Sequence, residues 1–183
     1  KEKLPDRLGL LWVHETKGSL ESSPVVAGET LFQGSCDGNL YAVDVGDGST
    51  KWSFQAGGVI MSTPVVDSNS DLVVFGCNNN YVYAIDRKNG ELAWEHVTAP
   101  SSRHVILHGN QVKASPALSN GRILIGNYGG QWIALTAKKG NPAWRAKGQL
   151  TFASPATDGE RVVMADLVGI TCLEANTGNL LWQ

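Results

Sequence analysis

The sequence predicts an all-β protein, a β-propeller of four-stranded antiparallel blades with about four blades in its 183 residues. Three observations carry that prediction. A tryptophan closes an eleven-residue pattern in which a glycine stands four residues earlier: Gly48 before Trp52, Gly90 before Trp94, Gly140 before Trp144 and Gly178 before Trp182. A hydroxyl residue followed by proline recurs in phase with it, as Ser23-Pro24, Thr63-Pro64, Ser115-Pro116 and Ser154-Pro155. Two markers repeating together at roughly forty residues mean one supersecondary unit used four times. The apolar residues between the markers alternate over short runs and nowhere follow the 3.6-residue period of a helix.

Each unit resolves into four extended runs. The first follows the proline, as Val25-Val26, Val65-Val66, Ala117-Leu118 and Ala156-Thr157. Turn formers come next, such as Ser119-Asn120-Gly121 and Asp158-Gly159-Glu160; glycine accepts positive φ, and Asn or Asp bonds its own backbone. The second run is β-branched and apolar, for example Leu72 to Phe75 and Ile123 to Ile125. A short polar loop leads to the third run, Leu40 to Val43 and its relatives, and a glycine turn leads to the tryptophan run. Hairpin-linked strands of this kind make an antiparallel meander, and meanders repeated radially make a propeller. The whole chain, 1–183, reads as one repeat array with blades at approximately 20–57, 60–98, 112–147 and 151–183, and residues 10–17 read as the outer strand of a preceding or closing blade. An indole at the start of each outer strand is too large to leave in water and its N–H wants an acceptor. Trp52, Trp94, Trp144 and Trp182 are therefore expected to dock on an adjacent blade.

Bulk properties exclude some functions. A net charge of −2 without a basic block argues against nucleic acid or an anionic membrane surface as partner. No apolar run approaches the ~20 residues that span a bilayer. The N-terminal residues Lys1 to Pro5 lack the apolar core of a signal peptide. Cys36, Cys77 and Cys172 form no CxxC unit; free thiols are expected, although Cys36 and Cys77 fall in equivalent loops where a bridge is conceivable. No Asn-x-Ser/Thr acceptor is present.

The pattern resembles the quinoprotein-type (PQQ-like) β-propeller repeat with its tryptophan-docking motif Ala-x-Asp-x-x-Thr-Gly-x-x-x-Trp. Ala42-x-Asp44 and Ala84-x-Asp86 match it, Thr136 replaces the Asp in the third copy, and Cys172 and Glu174 stand in the fourth, which keeps Thr177-Gly178. The resemblance covers the chain from about Trp12 to Trp182. It implies a periplasmic or otherwise extracytoplasmic location. Catalytic members of the family are dehydrogenases that hold pyrroloquinoline quinone and calcium in a ring of eight blades, with a vicinal cysteine pair and an acidic base. This chain has no adjacent cysteines and no assignable catalytic residue. Non-catalytic members are binding scaffolds or sensor domains. Four units are about half the usual ring, so the chain is expected to be a segment of a longer array, then half of a ring completed by a second copy, then a closed four-blade ring.

Blade topology places a candidate site. The loop between the second and third strands and the connection from one blade to the next lie on one face. The spacing from Trp94 to Pro116 is ten residues longer than that from Trp52 to Pro64, an insertion on this same face. Insertions in repeat folds favour the binding face. Arg103, His104 and His108 of the insertion, with Asn78, Asn79, Asn127, Tyr128 and Asp166 of the polar loops, are the candidate ligand or partner residues. His104 and His108 share a side but lack a third metal ligand nearby, so no metal is assigned. Asp67 to Asp71 imitates the opening of a calcium loop but lacks its glycine and its closing glutamate, and reads as an acidic turn.

These residues predict a non-catalytic binding or scaffold module that recognises a protein or small ligand through its loop face. No cofactor is assigned. One alternative is a portion of a PQQ-dependent dehydrogenase, the only reading in which PQQ and calcium would enter. The other is a purely structural repeat segment whose partners are further blades.

Overall fold

A computed structural model of the protein describes residues 9–98 and 109–183. Among them are sixteen strands. The first blade holds β1 (Val25–Ala27), β2 (Thr30–Gly34), β3 (Asn39–Asp44) and β4 (Thr50–Gln55). The second holds β5 (Val65–Asp67), β6 (Leu72–Gly76), β7 (Tyr81–Asp86) and β8 (Leu92–Val97). The third holds β9 (Ala117–Ser119), β10 (Arg122–Gly126), β11 (Gln131–Thr136) and β12 (Pro142–Lys147), and the fourth β13 (Ala156–Thr157), β14 (Arg161–Ala165), β15 (Ile170–Glu174) and β16 (Leu180–Trp182). Each blade is a separate antiparallel sheet with its strands in chain order. The fold is all-β and its blades are those of a propeller. Contacts between blades run from β1 to β5, β5 to β9 and β9 to β13, and no comparable set joins β13 back to β1.

The repeat works through one contact made again and again. The ring of Trp12 lies on Gly48, that of Trp52 on Gly90, that of Trp94 on Gly140 and that of Trp144 on Gly178. Each indole N–H donates to a carbonyl three residues before its glycine: Val45, Arg87, Ala137 and Ala175, at 2.8–3.1 Å. The glycines sit at φ of +67 to +77°, where a side chain is strained, and a Cβ would strike the indole. Both demands explain why this position is glycine in all four copies. The alanine of the pattern has its own reason. Ala42, Ala84, Ala134 and Cys172 lie directly opposite the tryptophans of their own blades, and the ladder slips by one residue just after each of them. A small residue leaves room for the indole, and the bulge turns the outer strand toward the next blade.

Between blades the apolar faces close into continuous cores. Phe32, Leu40 and Ala42 of blade one meet Val73, Phe75, Tyr83 and Ile85 of blade two. Val74, Val82 and Trp94 meet Ile123, Ile125, Ile133 and Leu135, and Leu124, Trp132 and Trp144 meet Val162, Met164 and Leu173. At about 25 cal/mol per Å² of apolar surface, these interfaces supply most of the cohesion. The hydroxyls of the second, third and fourth Ser/Thr-Pro pairs add links from blade to blade. Thr63 Oγ1 accepts from the Ser23 N–H, Ser115 Oγ from the Thr63 N–H and Ser154 Oγ from the Ser115 N–H, at 2.8–3.1 Å.

The two ends of the array differ from its middle. Trp94 and Trp144 are 9% and 8% exposed, whereas Trp182 is 51% exposed and has no docking glycine among the described residues. Trp182 instead lines an open groove with Val163, Cys172 and Arg161. Residues 10–14 form no strand ladder among the described residues, yet Trp12 occupies the Gly48 slot. A closed four-blade ring would need that slot for Trp182, so the arrangement seen is an open arc.

Candidate binding surface on the loop face

The loops between second and third strands share one backbone frame. In the first three blades the N–H of the first loop residue bonds the carbonyl of the first or neighbouring residue of the third strand: Ser35 to Asn39, Cys77 to Tyr81 and Asn127 to Gln131. The loop ends at positive φ, on Gly38, Asn80 and Gly130. The second loop residue then ties the loop to the connection that enters its own blade. The N–H groups of Cys36, Asn78, Tyr128 and Leu167 donate to the carbonyls of Ser19, Val59, Gln111 and Leu150, at 2.8–3.3 Å. Each of those carbonyls stands five residues before a blade proline.

Because the backbone is fixed, two side chains per blade come to equivalent places on this face. One is the second loop residue, and the other stands three residues before the proline: Glu21, Met61, Lys113 and Phe152. In blades two and three the two side chains meet. Asn78 Nδ2 lies 3.3 Å from Met61 Sδ. The Lys113 ammonium lies 5.3 Å from the centre of the Tyr128 ring and 5.6 Å from that of Phe152. Tyr128 and Phe152 meet edge to face at 5.0 Å across the boundary between blades three and four. Sequence reading found Asn78 and Tyr128 through the loops but passed over Met61, Lys113 and Phe152. Counting back from each proline is the signal that finds them.

The other candidate residues divide. Asn79 donates from Nδ2 to the Ala56 carbonyl and the Tyr83 hydroxyl, so its amide braces the loop against the outer strand of blade one. Asn127 is 1% exposed and donates to Thr98 Oγ1, while its Oδ1 accepts from the Gln131 N–H. Asp166 accepts from the Gln149, Val168 and Gly169 N–H groups. Partial burial pushes the Asp166 carboxyl upward, and these three donors outweigh it and hold it below the ordinary carboxylate value. These three side chains shape the loops. Arg103, His104 and His108 lie outside the described residues.

Where the insertion joins blade two, a polar cluster fixes its base. Thr98 Oγ1 donates toward the Asn80 and Asn110 carbonyls, and Arg145 donates to the Thr98 carbonyl at 2.7 Å. A second Arg145 N–H points at His96 Nε2 at 3.0 Å, so that nitrogen is the acceptor and the ring is neutral. Burial, then the neighbouring guanidinium, holds His96 below the ordinary 6.5.

The described residues do not fit PQQ and calcium. The three cysteines are free and separate, with Cys77 turned toward the Val59 carbonyl and Cys172 in β15 behind Trp182. No group of three His, Cys, Asp or Glu converges among the described residues. In the acidic turn, Asp67 bonds Asn69 and Ser70, and Asp71 pairs with Arg87 and Lys88, so both carboxylates are engaged.

Comparison with known proteins follows the architecture. The family described as outer membrane protein assembly factor BamB matches residues 9–183. The BamB protein of Yersinia pestis is 23% identical over 178 residues, covering 90% of this chain and 43% of its own length. The crystal structure of BamB from Moraxella catarrhalis superposes with a TM-score of 0.81 at 17% identity, covering 94% of this chain and 54% of that one. A quinohemoprotein alcohol dehydrogenase from Pseudomonas putida superposes with a TM-score of 0.79 at 20% identity, over 95% of this chain and 35% of its own. The chain thus spans about half the length of the BamB proteins it matches. The two superpositions, at such low identity, bear on the fold alone.

Proposed function

The chain belongs to the family described as outer membrane protein assembly factor BamB, and from that premise we propose that it is a non-catalytic propeller module that binds a partner protein through its loop face, outside the cytoplasm. One observation carries the reading. The repeat holds eight side chains in equivalent places on that face, two per blade, and their chemistry differs at every blade: Glu21 and Cys36, Met61 and Asn78, Lys113 and Tyr128, Phe152 and Leu167. Architecture demands none of these identities, in contrast to the glycines and tryptophans of the docking contact. A fixed frame with varied side chains is what recognition of a specific surface requires.

Support also comes from what the face contains. Phe152, Leu167 and Val168 are large apolar side chains at least half exposed, clustered where the varied positions of blades three and four lie. Photo-crosslinking residues placed at Glu21, Met61 and Phe152 of the protein in its native cells test the reading. Discrete protein adducts are expected from these positions and none from Gly28, Asn120 and Asp158 on the opposite face. Equal labelling from both faces, or none from the loop face, would overturn it.

A further inference from the structure

The Lys113 ammonium is a half-buried cation of this face without a carboxylate partner among the described residues. It lies within cation–π range of two rings, Tyr128 and Phe152. Among the described residues no carboxylate stands within salt-bridge distance of it, and none of its three N–H donors has a protein acceptor. Four other cations among the described residues have carboxylate partners, Lys51 with Asp44, Arg87 and Lys88 with Asp71, and Arg161 with Asp158, whereas the exposed Lys17, Lys138, Lys139 and Lys147 have none; Lys113 differs from those in lying against two rings. Lys113 is half-buried beside the two rings. Beside it, Phe152, Leu167, Leu150 and Ala153 line a groove of about 220 Å³ together with Thr151 and Asp166, whose carboxylate is taken up by the Gln149, Val168 and Gly169 N–H groups.

We propose that Lys113, Tyr128 and Phe152 form a pocket for a partner-protein segment that carries a carboxylate next to an apolar side chain. The carboxylate takes the free donors of Lys113, and the apolar side chain lies on Phe152 and Leu167. This assignment rests on the reading of the loop face as a protein-binding surface and names the chemistry that surface selects. Two features make the pocket selective. An aromatic base holds the ammonium without neutralising it, so its charge remains available. The apolar wall excludes water from one side of the ion pair, which strengthens it relative to an exposed surface pair. A segment with the carboxylate replaced by its amide would leave the ammonium with a weaker acceptor and lose the charge attraction.

The test uses three peptides on the intact protein: acetyl-Gly-Phe-Asp-Phe-Gly-amide, the same sequence with Asn for Asp, and the same sequence with both Phe changed to Ala. Binding is followed by NMR shifts of the protein's side-chain resonances. The Asp peptide is expected to bind about tenfold tighter than either control, the effect of one charge-assisted contact or of the lost apolar burial. The shifts should centre on Phe152 and Lys113. The Asp-over-Asn preference should vanish in Lys113→Gln and persist in Lys113→Arg, with both variants showing the wild-type amide spectrum elsewhere. Equal affinity for Asp and Asn peptides, no binding by any of them, or a preference that survives Lys113→Gln overturns the assignment. If crosslinks still form from the loop face in that event, protein binding stands and only the carboxylate pocket falls. If loop-face crosslinks are absent, the broader reading falls.

Discussion

Trp94 of blade two lies on Gly140 of blade three so closely that a Cβ added to the glycine would sit 2.5 Å from the indole ring. The same glycine has φ of +67°. Gly140→Ala therefore combines a strained backbone with a steric conflict in a buried contact, and is expected to cost about 2–4 kcal/mol. Gly121→Ala is the control, since Gly121 has φ of +70° but open space around its Cβ position. It should cost about 1 kcal/mol, the backbone part alone. Urea unfolding of both variants checks the difference.

The position of each tryptophan in the array sets its worth. Trp94 is buried and hydrogen-bonded to Ala137, so Trp94→Ala should cost about 3–5 kcal/mol. Trp182→Ala removes a half-exposed ring that docks on no glycine in the described arc, and should cost about 1 kcal/mol or less. Equal losses measured by chemical unfolding would contradict the docking account.

The hydroxyl ladder between blades makes a smaller contribution. Ser115→Ala leaves the half-buried Thr63 N–H without its acceptor and is expected to cost about 1 kcal/mol. A threonine at the same position keeps a hydroxyl oxygen there, so Ser115→Thr should recover most of the loss in the same unfolding experiment.

Stability should fall with acidity through His96. Its folded-state affinity for a proton is reduced, by burial first and by Arg145 second, below the ordinary 6.5. As the pH drops below that value, the unfolded chain takes up the proton before the folded chain does, so the unfolded state gains. The contribution is fully present above pH 6.5 and is lost as pH falls toward the lower folded value. Unfolding free energies measured from about pH 7.5 to about pH 5.5 should decline, and His96→Gln should flatten part of that slope.

The fold was legible in the sequence because its two markers are contact residues. Gly140 and Trp94 must be what they are for neighbouring blades to touch, and every copy repeats the demand. The candidate site was legible only in part. Asn127 reads as a polar loop residue, but its amide turns inward to Thr98, and nothing in a polar letter shows which way it turns. Lys113 and Phe152 lie in connections without a motif, and only the phase relative to Pro116 and Pro155 brings them together with Tyr128. Side chains that differ from blade to blade leave no periodic signal of their own. The same absence of pattern suits them for recognition.

The central claim is a division of labour: repeated residues hold the arc, and varied loop-face residues bind. The combined substitution Glu21→Ala, Lys113→Ala and Phe152→Ala tests it most directly, with unfolding free energy and loop-face crosslinking from Met61 measured on the same protein. The account predicts stability within about 1 kcal/mol of wild type and loss of the crosslinked partner. A protein that is strongly destabilised, or that keeps its crosslink at full yield, would contradict it.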